Sequence, residues 1–360
     1  MIRVGIIGCG KIADMHAISI NRVSGCEIVG VCDREMLMAK QLAERFKVSA
    51  FFDDAVAMLN TVKPDVVHIT TPPHSHLQLG LLCLDAGCHI YVEKPFTMNT
   101  KEVEELLQYS KEKNLKVTVG HNLQFSHEAI RMRRLIKDGF LGSAPVHMES
   151  YYCYNLDRNY AQALFGDKEH WVRKLPGQLL HNIISHGVSR IVEFLPGGNP
   201  KVIAHGFTSP FLRGIGETEI IDELRVIIND NDAVTAYFTF STQMSPKLNQ
   251  FRVYGLQNGL VVDHFHRSLV KLKKITMKSY LNYFLSPLVF GGEYIANTFH
   301  NVKQFLKRNF HDDSGMKFLI EAFYRSIAED LEPPISYREI YLTAKIMDEI
   351  FGQLDSQHNS

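Results

Sequence analysis

Two short stretches combine residue types and spacings that chemistry can use. The first is Gly8-Cys9-Gly10-Lys11-Ile12-Ala13, a GxGxxA run directly after the apolar Ile2–Ile7. Gly8 permits a tight turn, Gly10 lets backbone approach a pyrophosphate, and Ala13 lets a helix pack closely on a strand. Lys11 and Ile12 open that helix, whose N-terminus offers N–H donors and a positive dipole end to an anion. Asp33 ends the next apolar run, twenty positions after Ala13, where a carboxylate would bind ribose hydroxyls. Its neighbour Arg34 could accept the 2′-phosphate of NADP, whereas Asp33 favours NAD. Cys9 reads as a small filler of the turn. The second stretch is Tyr91-Val92-Glu93-Lys94-Pro95-Phe96. Lys94 follows an apolar run, and ligands of open α/β sheets bind at the carboxyl ends of strands.

These residues need elements to position them. Strand-like runs at Ile2–Ile7, Glu27–Cys32, Asp65–Thr70, His89–Glu93 and Lys116–Val119 alternate with helical patterns at Met36–Phe46, His76–Ala86 and from Asn99 to about Lys113. Asn99 with Glu102 makes a capping box. Such alternation predicts a doubly wound parallel sheet, a Rossmann domain over residues 1–122. From residue 123 to 360 the pattern changes to an α+β domain with an open, largely antiparallel sheet. Its expected strands are Val146–Tyr154, Val202–Thr208, Arg225–Ile228, Val234–Phe240, Phe251–Tyr254 and Leu260–Phe265, with a final helix over Tyr337–Leu354. Asn229-Asp230-Asn231-Asp232 and Asn258-Gly259 are hairpin turns.

The GxGxxA turn, Asp33, Thr71-Pro72-Pro73-His74-Ser75-His76 and Glu93-Lys94-Pro95 occur in that order. Together they resemble the Gfo/Idh/MocA oxidoreductases, a family that includes glucose–fructose oxidoreductase and inositol dehydrogenase. The resemblance runs from Ile2 to about Leu354 and implies an NAD(P)-dependent oxidoreductase acting on a sugar, polyol or nucleotide sugar. It implies that Thr71, Pro72 and His76 lie against the cofactor with Glu93, and that Lys94 is catalytic or substrate-binding. Val119-Gly120-His121-Asn122 looks like the exit from the nucleotide domain, with Asn122 facing substrate. The family's second motif, an aspartate four residues before a histidine, matches Asn182 and His186. Asn182 thus stands where the family has a carboxylate; it can hydrogen-bond a hydroxyl but cannot carry charge. His181 could contribute beside it. Lys94 and His186 are the expected catalytic pair, one holding the substrate hydroxyl and the other taking its proton. The Asn182 departure leaves open a dinucleotide-binding sensor without catalysis.

Composition excludes other classes. Lys plus Arg and Asp plus Glu each number 39 in 360 residues, so net formal charge is zero, and no global field draws the chain to nucleic acid. Six cysteines without a CxxC pair and no secretory-type leader point to the cytoplasm. No metal-ligand spacing stands out. The resemblance implies a homo-oligomer, a dimer or tetramer, with one sheet face against a sister subunit. Residues 271–310 fit none of this. Lys271, Lys273, Lys274 and Lys278 precede the aromatic run Tyr280–Phe290, then Phe299, Val302, Leu306 and Phe310 recur at helical spacing beside Lys303, Lys307 and Arg308. A subunit contact and a peripheral contact with an anionic membrane both suit this insertion. It is too short to span a bilayer.

Overall fold

A computed structural model describes residues 1–154, 164–274, 279–307, 309–310 and 314–358. They form two compact units, Met1–Asn122 with Gly315–Lys345, and Leu123–Ser314 with Ile346–Ser360. The first holds six strands: β1 (Ile2–Ile7), β2 (Cys26–Cys32), β3 (Phe51–Phe52), β4 (Val66–Ile69), β5 (His89–Val92) and β6 (Val117–Val119). Their order is β3-β2-β1-β4-β5-β6, and every pair is parallel. The order reverses between β1 and β4, the point where open α/β sheets bind ligands. Val4, Ile6, Val66, Val67, Ile69, Ile90 and Val92 are wholly buried, which is why these strands read as continuous apolar runs. Helices α1 (Lys11–Ile20), α2 (Met36–Phe46), α3 (Ala55–Val62), α4 (His76–Asp85) and α5 (Thr100–Glu112) connect them. The Asn99 side chain accepts from the Glu102 N–H to start α5, as the capping box requires.

The second unit contains α6 (His127–Lys137), β7 (His147–Cys153), α7 (Gln178–Ile183), α8 (Ser185–Val192), β8 (Lys201–Phe207), α9 (Pro210–Gly214), β9 (Glu223–Asp230), β10 (Val234–Ser241), β11 (Asn249–Tyr254), β12 (Gly259–Asp263), β13 (Ser268–Leu272) and α10 (Ser279–Leu306). The sheet order is β13-β12-β11-β7-β10-β9-β8, antiparallel except for the parallel β7–β10 pair. Asn231 and Asp232 both have positive φ in the three-residue β9–β10 turn, a backbone region that asparagine and aspartate tolerate better than most residues. On the inner face Phe238 of β10 lies 2.2 Å from where a Gly187 side chain would stand, so glycine alone lets α8 reach the sheet. On the outer face Ile203, Ile227 and Tyr237 sit side by side in register on β8, β9 and β10, all exposed.

Two features depart from the sequence reading. A further strand, β13, ends just inside residues 271–310, and one 28-residue helix, α10, takes up most of the rest. Lys278 and Arg308 of the expected basic fringe lie outside the described residues. The chain also returns to the first unit after residue 314. Helix α11 (Ser314–Ala328) buries Phe323 and Tyr324, and Phe323 meets the Tyr91 ring edge-on at 6.4 Å. Lys116 Nζ donates to the carbonyls of Ser326 and Leu331 and to Asp330 at 2.7–2.8 Å. A final helix, α12 (Tyr337–His358), completes the chain.

Candidate active site

In the first unit a cleft of about 520 Å³ opens along the carboxyl ends of β1, β2 and β4. Of the residues expected at a dinucleotide, Gly8, Gly10, Asp33, Arg34, Thr71 and Pro72 line it. Gly8 has φ +98°, and a Cβ there would lie 2.8 Å from the Thr70 and Thr71 backbone, so only glycine fits. The Thr70 hydroxyl donates to the Gly8 carbonyl at 2.6 Å and fixes the loop against β4. A Cβ on Gly10 would meet nothing within 4 Å, and α1 begins there with no side-chain cap. A helix N-terminus without a side-chain cap favours an anion. Asp33 is held by backbone: its Oδ2 accepts from Cys9 N at 2.6 Å and its Oδ1 from Glu35 N at 3.0 Å. Cys9 is buried and its pKa is pushed up to about 12, by burial first and then by Asp33, so it is an inert filler.

Other expected residues serve from outside the cleft. Lys11 is exposed in the first turn of α1, Ile12 is half-buried, and Ala13 is buried. His76 is fully buried beneath the cleft. Its Nδ1 faces the carbonyls of Pro95 and Phe96 at 3.0 and 3.1 Å, and its Nε2 the carbonyl of Thr71 at 2.8 Å. That ring lies between the Thr71 loop and the segment after β5. His74 and Ser75 of the Thr71–His76 loop also line the cleft, with Asp53, Asp54, Leu79 and Leu82, which the sequence reading missed. Asp54 accepts from Ala57 N at 2.7 Å as the cap of α3. An aspartate before an apolar helical run was the signal for it.

At the end of β5 the Lys94–Pro95 peptide is cis. Glu93 is buried, with Oε1 accepting from His16 Nε2 at 2.9 Å and Oε2 from the Lys94 N–H at 3.1 Å. Burial raises its pKa, but the His16 hydrogen bond and the Lys94 charge outweigh that and hold it below the usual carboxylate range. Gly120 makes room for this carboxylate, since a Cβ there would lie 2.7 Å from Glu93 Oε1. Lys94 is half-buried, and burial lowers its pKa against the opposing pull of Glu93. Asn122 is half-buried at the start of the 3-10 turn Asn122–Phe125.

Behind Glu93 runs a buried chain with no trace in local sequence pattern. His16 Nδ1 and His68 Nδ1 lie 2.7 Å apart, and His68 Nε2 meets the Tyr324 hydroxyl at 2.8 Å. An ionised carboxylate only accepts, so His16 Nε2 donates to Glu93. One proton bridges the two Nδ1 atoms, and His68 Nε2 pairs with the Tyr324 hydroxyl. Burial first, then the neighbouring His16, lowers the His68 pKa far below its ordinary value, while burial raises that of Tyr324. Tyr91 stacks on His68 at 4.6 Å, nearly parallel.

In the second unit α7 and α8 meet at Ile184, which caps both. Asn182 and His186 thus lie on two short helices joined through Ile184. Both are half-buried. His186 lies against the Tyr152 ring of β7 at 5.8 Å. His181 is buried and stacks on Phe351 at 5.1 Å, so its ring packs toward α12. Arg190 anchors α8 from below. Its guanidinium donates to Asn249 Oδ1 at 2.8 Å and Ser150 Oγ at 3.1 Å, and Ser150 Oγ donates to the Gly187 carbonyl at 2.8 Å. Burial lowers the Arg190 pKa to about 10.

Residues 2–121 match the family model GFO_IDH_MocA, described as "Oxidoreductase family, NAD-binding Rossmann fold". That stretch is thus similar to the nucleotide-binding domain of the Gfo/Idh/MocA oxidoreductases. The chain is 34% identical over 142 residues to D-glucoside 3-dehydrogenase of Escherichia coli, 39% of this chain and 40% of that protein. It is 32% identical over 148 residues to UDP-N-acetylglucosamine 3-dehydrogenase of Acidithiobacillus ferrooxidans, 41% of this chain and 44% of that one. The chain thus spans about two-fifths of the length of these relatives. The fold is shared more widely. An NAD binding oxidoreductase from Klebsiella pneumoniae superposes with a TM-score of 0.77 at 18% identity, covering 99% of this chain and 97% of that one.

Proposed function

We propose that this chain is a dehydrogenase that transfers a hydride between NAD and a hydroxyl-bearing carbon of a sugar, polyol or nucleotide sugar. Lys94 carries the proposal: a half-buried amine with a depressed pKa, at the carboxyl end of β5, beside an ionised Glu93 fixed through both oxygens. The relatives named as glucoside and UDP-N-acetylglucosamine dehydrogenases support the substrate class. The cleft supports NAD over NADP, because Asp33, Asp53 and Asp54 all line it and would repel a 2′-phosphate, with Arg34 alone opposing them.

When bound, NAD supplies the hydride acceptor. Gly8, Gly10 and the start of α1 would hold its pyrophosphate, and Asp33 its ribose hydroxyls. Removing hydride from a carbinol also requires its hydroxyl proton to leave. Lys94 is assigned to the substrate oxygen, where an ammonium stabilises developing negative charge. His186 is assigned to take the proton, and the two roles are exchangeable. Asn182 offers an amide donor and acceptor to a further substrate hydroxyl. His181, stacked on Phe351, supports its neighbour through packing. Mass spectrometry of the purified protein for co-purifying dinucleotide, followed by nicotinamide reduction with a panel of sugars and nucleotide sugars, tests this reading. Tight NAD binding with no turnover across the panel would favour the sensor, the reading that Asn182 supports.

We also propose that a second copy covers the exposed Ile203–Ile227–Tyr237 row, giving a dimer or tetramer, and that the protein works in the cytoplasm. Light scattering of the wild type and of Ile227→Lys tests the first point. The six cysteines, all free, are compatible with the second.

A further inference from the structure

Helix α10 turns its polar side inward. Glu293 pairs with Lys271 at 3.2 Å. Asn297 accepts from Leu269 N at 3.0 Å and donates to Leu269 O at 2.9 Å, and Asn301 Nδ2 donates to the His266 carbonyl at 3.2 Å. These three recur every four residues and form the stripe that docks on β13. At 100° per residue, Phe284, Leu288, Ile295, Val302 and Leu306 fall on the opposite side. They are 72%, 70%, 60%, 51% and 75% exposed. Tyr280, Phe299 and Phe305 lie beside or among them, also exposed, and Tyr283 is exposed near the start of the helix. The stripe follows a helix about 42 Å long, and a continuous apolar surface of that kind marks an interaction site.

Charge selects the occupant. Lys273 and Lys274 precede the helix, and Lys303 and Lys307 stand at its far end. Between residues 264 and 310 Glu293 is the sole acidic residue in the sequence, and it is already paired with Lys271. A second copy laid on this face would bring lysine to lysine with no carboxylate to relieve them. An anionic bilayer meets both requirements, accepting apolar and aromatic groups at the headgroup boundary and drawing the lysines to phosphate. We propose that the outer face of α10 lies in the plane of an anionic membrane and holds the protein there peripherally. Among the described residues no helix is long and apolar enough to cross a membrane, in keeping with an in-plane seat. Such docking needs nothing from the activity proposed above.

Flotation of the full chain with phosphatidylglycerol-containing vesicles, against phosphatidylcholine vesicles, tests it. The wild type should float with anionic vesicles at low salt, bind phosphatidylcholine far more weakly, and partition less as salt rises. Changing Lys273, Lys274, Lys303 and Lys307 to Glu should lower partitioning by roughly a hundredfold or more. F284S/L288S/I295S/V302S should abolish it while leaving the circular dichroism spectrum unchanged, since all four side chains face solvent. Absence of wild-type binding to anionic vesicles at low salt overturns the proposal. So does an oligomer, seen by light scattering, that the four-serine variant splits while vesicle binding is unaffected; that result would make α10 a subunit contact.

Discussion

Asp33 offers the sharpest test of the cofactor site. Each of its carboxylate oxygens has two lone-pair directions, and each spends one on a backbone N–H, of Cys9 at 2.6 Å and Glu35 at 3.0 Å. One direction on each oxygen is left, enough for two ribose hydroxyls. A hydrogen bond to a charged group contributes about 1.5–3 kcal/mol net. Asp33→Ala removes both, so NAD affinity should fall by about 3 kcal/mol, roughly 150-fold. Asp33→Asn keeps one acceptor oxygen and should lose about half of that free energy. NADP should respond oppositely, because neutralising Asp33 removes a repulsion from its 2′-phosphate, so the NAD-to-NADP preference should shrink in both variants. Isothermal titration calorimetry with both dinucleotides measures this, with thermal unfolding of the free protein as the control for the lost turn contacts. NAD affinity within twofold of wild type in Asp33→Ala would refute the ribose assignment.

Four further outcomes are expected. Lys94→Ala and His186→Ala should each abolish most turnover with NAD affinity intact, and the double variant should be little worse than either; small, additive losses in steady-state assays would mean the residues act separately. If Lys94 works as the ammonium, activity falls as pH rises through its depressed pKa, below the usual 10.5 of lysine. Lys94→Arg should then keep measurable activity and lose that alkaline fall, whereas a rise with pH in the wild type would make Lys94 the base. Gly120→Ala forces the Glu93 carboxylate off His16 and should cost about 3 kcal/mol in urea unfolding; a loss under about 0.5 kcal/mol would show that Glu93 moves freely. His121 is buried and its pKa is lowered from 6.5 to about 3, chiefly by burial. The unfolded chain binds the proton first as pH falls, so stability should drop by about 2 kcal/mol from this group between pH 8 and 5, and His121→Gln should flatten that part of the curve.

The nucleotide domain was largely legible because parallel strands buried on both faces read as apolar runs, and Gly8, Gly10 and Asp33 sit at fixed offsets from them. Asp53 and Asp54 were not, since a pair of aspartates in a loop looks like ordinary solvated surface. His16, His68 and Tyr324 escaped for another reason: Tyr324 is 256 residues from His68, and no local period records such a contact. Strand β13 was hidden by the lysines that follow it. In α10 the aromatic and basic content was plain, but helical spacing was read only from Phe299 to Phe310, not over the whole of Ser279–Leu306. Its inverted amphipathicity then removed the usual cue for which side is buried. At Asn182 the departure from the family pattern was visible in the sequence, and its effect on proton transfer is a matter of chemistry rather than of backbone geometry.

The return of Gly315–Lys345 to the first unit has a consequence for synthesis. A ribosome that has delivered Asn122 has made every strand of the parallel sheet, yet Phe323, Tyr324 and the partners of Lys116 are still to come. Another 223 residues must be added before Lys345 emerges, roughly 10–45 s at about 5–20 residues per second. During that interval Tyr91 lacks Phe323, and His68 lacks its hydroxyl partner. The nascent sheet is thus held open while the intervening unit is made, and a message cut short before residue 315 leaves that part of the nucleotide domain uncovered. A pulse-labelled nascent chain should accordingly stay protease-sensitive in its first 122 residues until α11 has left the exit tunnel.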